Sequence, residues 1–251
     1  MKFAIPSYKR HDRQDTLKWL LSVGVPKTDI YLFVQTEEDY GLYKQYEESC
    51  NLVYKEAQSL PKARNNILDH FQGKDDIVMM DDDITALSFG SKEQKLVSIT
   101  SHEMVMKVFE TMFAMTRRLK GSLCGFYPVH NNFFMQDSID TKKPVNTIIG
   151  FPKGFKLRFD INFIAKEDIE LCGRVLASGG KIIRLNNISF NAKHRTNHGG
   201  ANDIWKSGVN REYAMVLEQI YPEVYAVQKN NPEEVRTVTC GGRIKFRPWK
   251  A

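Results

Sequence analysis

Apolar and polar residues alternate along the first 83 positions in blocks of two kinds. KFAIPS (2–7), IYLFVQ (30–35), NLVYKE (51–56) and DIVMM (76–80) are short apolar runs of strand length. Between them lie DRQDTLKWLLSVG (12–24), EEDYGLYKQYEE (37–48) and LPKARNNILDHF (60–71), which read as helices. Pro6 closes the first strand. In the first helix Asp12 is placed to cap, Leu17, Leu20 and Leu21 form the stripe, and Gly24 ends it. Tyr40 and Tyr43 share a face of the second helix, and Pro61 is tolerated in the first turn of the third. This β-α-β-α-β-α-β order predicts a parallel sheet with helices on both faces. Right-handed crossovers then put the strand C-termini on one edge, where open α/β sheets bind ligands. Ser7, Thr36, Glu37 and the run Asp81-Asp82-Asp83 all fall there.

Beyond Asp83 the pattern changes. ITALSFGSKEQK (84–95) is polar and reads as a loop. SHEMVMKVFETMFAMTRRL (101–119) is a long amphipathic helix capped by Ser101, with Met104, Val108, Met112 and Met115 as core filler. LCGFYP, NFFM and TIIGF read as short strands. EDIELCGRVLASGG (167–180) is a helix ending at Gly179-Gly180, followed by strands KIIRL and ISFNAKH. The tail RTVTCGGRIKFRPWKA (236–251) is basic and strand-like. With no repeat, low-complexity tract or linker, residues 1–251 are expected to form one domain.

The chain has 251 residues, 42% of them apolar and 26% charged, enough for one full α/β core. No apolar run approaches the ~20 residues needed to span a bilayer, and MKFAIPSYKR lacks the apolar stretch of a secretory signal. Cys50, Cys124, Cys172 and Cys240 are far apart, which suits free thiols in a reducing compartment. A cytoplasmic protein is expected. Charge is uneven: residues 1–125 carry 17 Lys+Arg against 18 Asp+Glu, whereas residues 126–251 carry 19 against 12. The positive half is either a solubilising surface or a face for a polyanion such as DNA.

Three adjacent carboxylates at a strand end have three explanations: a solvated turn, a divalent-cation site with hard oxygen ligands, or an acid/base pair. Side chains alternate along an extended chain, so Asp81 and Asp83 point to one side. Glu167 and Asp168 open a helix, where acids also simply favour the macrodipole. His194 and His198, beside Gly199-Gly200, are either surface residues or metal ligands.

The segment KARNNILDHFQGKDDIVMMDDDIT resembles the donor-binding segment of GT-A-fold glycosyltransferases, in which an Arg-Asn pair opens a helix and the next strand ends in Asp-x-Asp. That resemblance implies a mostly parallel central sheet with a smaller mixed second half. It divides the chain into a nucleotide-sugar donor half (1–100) and an acceptor half (101–251). It implies donor contacts at Pro6, Ser7, Arg10, Thr36, Glu37, Arg64, Asn65, Asp81 and Asp82. It implies Mn²⁺ or Mg²⁺ held by Asp83 with His194 or His198, and a catalytic base at Asp168, with Glu167 as its alternate. IIGFPKGFKLRFDI, HRTNHGGAND and YPEVY are similar to the TET/JBP-associated glycosyltransferases of phages and kinetoplastids, which modify hydroxymethylated pyrimidines in DNA. The implied reaction is inverting transfer of glucose or arabinose from a UDP-sugar, foremost to 5-hydroxymethylcytosine, in the host-cell cytoplasm of a bacteriophage. Lys193, Arg195, Lys206, Arg211, Arg243, Lys245 and Arg247 are the cations expected on DNA, with Phe246 and Trp249 nearby. An ordinary basic edge strand would look the same. Rival readings are a GT-A enzyme acting on a polysaccharide, lipid or protein, and a metal-dependent nuclease or nucleotidyltransferase.

Overall fold

A computed structural model describes residues 1–193, 209–238 and 242–245. The first half follows the predicted alternation. Strands β1 (Lys2–Ser7), β2 (Ile30–Val34), β3 (Asn51–Tyr54) and β4 (Ile77–Met80) alternate with helices α1 (Asp15–Ser22), α2 (Glu37–Tyr43) and α3 (Leu60–Phe71). β1 pairs in parallel with both β2 and β4, and β3 pairs in parallel with β2. Period-two alternation sorts their side chains: Phe3, Ile5, Leu32, Val78 and Met80 join one core layer, and Ala4, Phe33, Ile77 and Met79 join the other. The first layer lies under α1 and α4 (His102–Arg118), the second under α3 and α5 (Glu167–Ala177). Strands buried on both faces explain why their sequences run apolar without a break.

The second half is mixed. β7 (Leu123–Tyr127) and β9 (Ile148–Phe151) extend the sheet, β9 lying antiparallel between β4 and β7. Gly150 permits this packing, since a Cβ there would sit 2.4 Å from Cys124 Sγ. The order across the main path is β13-β8-β10-β7-β9-β4-β1-β2-β3, with β8 at Ser138–Asp140, β10 at Ile182–Ala192 and β13 at Arg243–Lys245. A hairpin, β11 (Tyr225–Gln228) with β12 (Asn231–Thr237), packs beside α6 (Val209–Ile220) over Phe163, Leu217 and Tyr225.

Several expectations are corrected. Residues 84–95 are not a loop: β5 (Ile84–Ser91) and β6 (Gln94–Ser98) form a hairpin, and β5 lies antiparallel to the second half of β10. β10 is one strand whose register shifts between Leu185 and Ser189 as it exchanges β7 for β5. Its Asn186-Asn187 pair looks like a turn in sequence, but Asn186 is buried and donates to Asp140 Oδ2 (2.9 Å) and Ser138 Oγ (3.0 Å). NFFM is a 3₁₀ turn, not a strand. Asp12 does not cap α1, which begins at Asp15; the preceding Gln14 bonds Ser7 instead. The buried stripe of α4 is Val105, Val108, Phe109, Met112 and Phe113, leaving Met104 exposed. Helix α6 was not anticipated. Cys50, Cys124 and Cys172 are buried free thiols. No helix among the described residues is long and apolar enough to cross a membrane.

Candidate active site

Asp81, Asp82 and Asp83 follow β4 and form its link to β5. The turn is held by main chain and by one threonine. The Asp81 N–H donates to Thr147 O (3.0 Å), and the Lys193 N–H donates to Asp83 O (3.1 Å). Thr16, at the start of α1, donates Oγ1–H to Asp81 O (2.5 Å) and N–H to Asp82 O (3.2 Å), and its Oγ1 accepts from the Ile84 N–H (2.9 Å). Thr147, Lys9 and Lys166 all adopt positive φ, at 58°, 54° and 58°, in segments that border this edge. Such backbone is held only where surrounding structure fixes it.

The three carboxylates go different ways. Asp82 points inward, 4% exposed, and accepts from Ser7 Oγ (2.6 Å) and Arg10 Nη1 (2.5 Å). Ser7 Oγ in turn bonds Tyr43 Oη (2.8 Å) and accepts from Gln14 Nε2 (2.7 Å), and the Arg10 N–H donates to Tyr43 Oη (2.9 Å). Burial pushes the Asp82 carboxyl up, against the pull of Arg10 and Ser7. Asp81 is half-buried and accepts from Arg64 Nη2 (3.0 Å). Asp83 is 7% exposed; burial, then the charges of Asp81 and Asp82, push its carboxyl up to about 7.

Arg64 joins this turn to the acid pair. It is buried in α3, with Nε 3.4 Å from Glu167 Oε1 and its guanidinium over the Phe159 ring. Glu167 is 5% exposed, and burial followed by the neighbouring Asp168 charge pushes it up to about 7 despite Arg64. Asp168 is half-buried, raised by burial, and accepts the Ile169 N–H through Oδ1 (2.7 Å). A bridging cation thus sets carboxyls from β4 and α5 side by side at one sheet edge.

Other expected residues have prior engagements. Asn65 exchanges two bonds with the Phe159 main chain (2.8 and 2.9 Å), which fixes the segment leading to α5. Pro6 is buried within β1. Thr36 caps α2 by accepting from the Asp39 N–H (3.1 Å), and Glu37 is exposed beside it. Lys193 Nζ lies 3.1 Å from Asp15, near the carboxylate turn. Arg243 pairs with the buried Asp140 (3.3 Å), while Arg211 and Lys245 are exposed elsewhere. His194, His198, Arg195, Lys206, Arg247, Phe246 and Trp249 lie outside the described residues. Among the described residues no group of three or more His, Cys, Asp or Glu is arranged to hold a metal. The oxygen donors Asp81 and Asp83 suit a hard divalent cation, which would reverse the raised pKa of Asp83.

Sequence reasoning missed Gln14, Thr16 and Thr147, which carry no motif, and the buried cluster Asp140–Arg184–Asn186, in which Arg184 Nη2 lies 3.3 Å from Asp140.

The sequence profile described as "TET-Associated Glycosyltransferase" matches residues 1–200. No curated protein matches. Among solved structures, S. aureus TarS (residues 1–349) superposes with a TM-score of 0.52 at 15% identity, over 86% of this chain and 65% of that one. The chain therefore spans less than two thirds of that neighbour, and the likeness is one of fold. A CMP:2-keto-3-deoxy-manno-octonic acid synthetase complexed with CTP gives a TM-score of 0.45 at 10% identity, covering 86% and 98% of the two chains. A "putative nucleotide-diphospho-sugar transferase" from Desulfovibrio desulfuricans G20 gives 0.41 at 10% identity, covering 88% and 99%.

Proposed function

Because the chain belongs to the TET-associated glycosyltransferase family, we propose that it moves a sugar, glucose or arabinose, from a UDP-sugar to the hydroxymethyl group of a modified pyrimidine in DNA. The foremost acceptor is 5-hydroxymethylcytosine, in bacteriophage DNA modification. The observation that carries the reading is Arg64, shared between Asp81 (3.0 Å) and Glu167 (3.4 Å). It makes one site of two distant motifs, a donor half (1–100) and an acceptor half (101–251).

In this reading Asp83 would hold Mn²⁺ or Mg²⁺, with His194 or His198 completing the shell, and Asp81 would contact the donor. The cation, when bound, neutralises charge developing on the diphosphate. Ser7, Arg10 and Asp82 form the rigid floor of the nucleoside pocket together with Pro6, and Thr36 and Glu37 border the base. Arg64 and Asn65, both buried and engaged, act on the donor by holding its neighbours in position. Asp168 takes the proton of the acceptor hydroxyl. The oxygen then forms its bond to the anomeric carbon as the bond to UDP breaks, with inversion. A carboxyl raised by burial is the better base for a poorly acidic alcohol, because proton transfer is more favourable. Lys193, Arg195, Lys206, Arg211, Arg243, Lys245 and Arg247 are the candidates for phosphate contacts.

The test is transfer read by nucleoside mass spectrometry. Protein, Mn²⁺ and pooled UDP-sugars are mixed with DNA carrying hydroxymethylcytosine or hydroxymethyluracil, with Asp83→Ala alongside. A hexose or pentose mass gain that Asp83→Ala abolishes without unfolding is expected. No gain in the wild type, or full activity in Asp83→Ala, refutes the acceptor or the metal assignment respectively.

A further inference from the structure

The sheet edge opposite the carboxylates carries a second feature. Four segments meet there: 72–76 before β4, 119–122 before β7, 152–158 after β9 and 178–181 before β10. They are stitched together by Gly154 N–H to Gly73 O (2.9 Å), Ser122 N–H to Lys181 O (2.8 Å) and Lys153 N–H to Asp76 Oδ1 (2.8 Å). Between 119–122 and 152–158 lies an open cavity of about 310 Å³ lined by Gly121, Ser122, Lys153, Gly154, Phe155 and Lys156, among others.

Its charge is one-sided. The four segments contribute Lys74, Lys120, Lys153, Lys156 and Lys181, all exposed, against Asp75 and Asp76. Asp76 is already taken by Arg117 Nη1 (2.8 Å) and the Lys153 N–H, and Arg158 by Asp69 (2.8 Å). Among the described residues none of the five lysine side chains is paired with a carboxylate; Lys181 reaches only the Leu119 carbonyl (3.3 Å). Arg117 and Arg118 sit in the last turn of α4, where the helix dipole accounts for them, but the five lysines have no such explanation. Five like charges brought from four segments to one sheet edge, with Lys153 and Lys156 lining its cavity, raise a local positive potential.

The main chain narrows the ligand. The N–H groups of Gly121, Ser122, Gly154 and Phe155 are all bonded to carbonyls. These four N–H groups therefore form no cradle for a single phosphate. Separate, mobile lysines suit separate, spaced anionic charges. We propose that this face is a second nucleic-acid contact, binding the phosphodiester backbone of DNA outside the reacting site. It lies the length of the four-residue β4, about 13 Å, from the carboxylate edge. It would hold the protein on the polymer without presenting a base to Asp168.

The experiment uses the full chain and a fluorescent, unmodified DNA duplex, titrated across a potassium chloride series. Lys120→Ala/Lys153→Ala/Lys156→Ala should weaken binding by about tenfold or more and reduce the slope of log K against log salt by about 2 to 3, at about 0.9 per phosphate contact. UDP binding and transfer to a short hydroxymethylated oligonucleotide should be unchanged. The corresponding Lys→Arg variant should keep duplex affinity. Duplex should also protect Lys120, Lys153 and Lys156 of the wild-type chain from acetylation, which tests the site even if the alanine variant fails to fold. Unchanged affinity and slope, absent protection, or lysine-dependent binding of anionic vesicles without duplex binding overturns the proposal. The probe carries no hydroxymethyl group, so this site can stand if transfer to DNA fails, and can fall while transfer stands.

Discussion

Replacing Glu167 with glutamine should make the metal-free protein relatively more stable as pH rises. Glu167 is 5% exposed, and its carboxyl is raised from 4.5 to about 7, by burial first. The native protein therefore holds a proton there that the unfolded chain releases earlier. The stability this proton contributes is complete below about pH 4.5 and is lost as pH rises through about 7. Its size is about 3 kcal/mol, at about 1.4 kcal/mol for each pH unit between the two values. Glutamine has the same shape and no such proton. Asp168 titrates with Glu167, and removing one charge relaxes the other, which acts in the same direction. Arg64 retains Asp81 at 3.0 Å, so the substitution does not strand it. The stability of Glu167→Gln relative to wild type should thus climb by about 3 kcal/mol between about pH 5 and pH 8. For a chain of this size that is about 6 to 12 °C in Tm. Thermal unfolding by circular dichroism, in chelator-treated buffers of matched ionic strength, measures it. A Tm difference that stays flat or shrinks with pH would refute the raised carboxyl.

Asp168→Asn should lower transfer by about a hundredfold or more while leaving UDP affinity, read by calorimetry, unchanged; if Glu167→Gln does this and Asp168→Asn does not, the two acids exchange roles. Thr16→Val removes the bonds to Asp81 O and from Ile84 N–H and should cost about 1 to 3 kcal/mol. It should also loosen Mn²⁺-dependent UDP binding, and an unaltered binding isotherm would show that the turn holds without its threonine.

The first half was legible because burial on both faces of a parallel sheet leaves a strong signal: apolar runs too short for helices, separated by amphipathic stretches. Asp81, Asp83, Glu167 and Asp168 were legible because charge at a strand end or helix start is conspicuous against that pattern. The misses share one cause. In β5, Thr85, Ala86, Ser88 and Gly90 look like a loop, but the strand is fixed by pairing with β10, remote in sequence, where Leu87 lies opposite Phe190 and Phe89 opposite Ile188. In β10, Asn186 looks like a turn because its polarity is satisfied by Asp140 and Ser138, 46 and 48 residues away. Local pattern cannot report a polar group whose partner is remote in sequence. Thr16 was silent for the same reason: its partners lie 65 and 68 residues on.

The aspartate triplet itself shows how one fold accommodates three adjacent negative charges. Within the turn after β4, Asp82 points inward while Asp81 stays half-exposed. There it is neutralised by Arg10 and bound by Ser7, a cost met by preassembled polar groups from β1 and the loop after it. Asp81 remains half in solvent and shares Arg64. Asp83 is left buried with both neighbours repelling its charge, so its own ionisation becomes the expensive step. Of the three, Asp83 is raised by both neighbours as well as by burial, so its ionised form would gain from an added cation. In the acid pair Arg64 lies beside the buried Glu167, whereas Asp168 is half-buried and accepts the Ile169 N–H. At each end of Arg64 one carboxylate contacts the guanidinium, and a carboxyl close by in sequence is raised by burial.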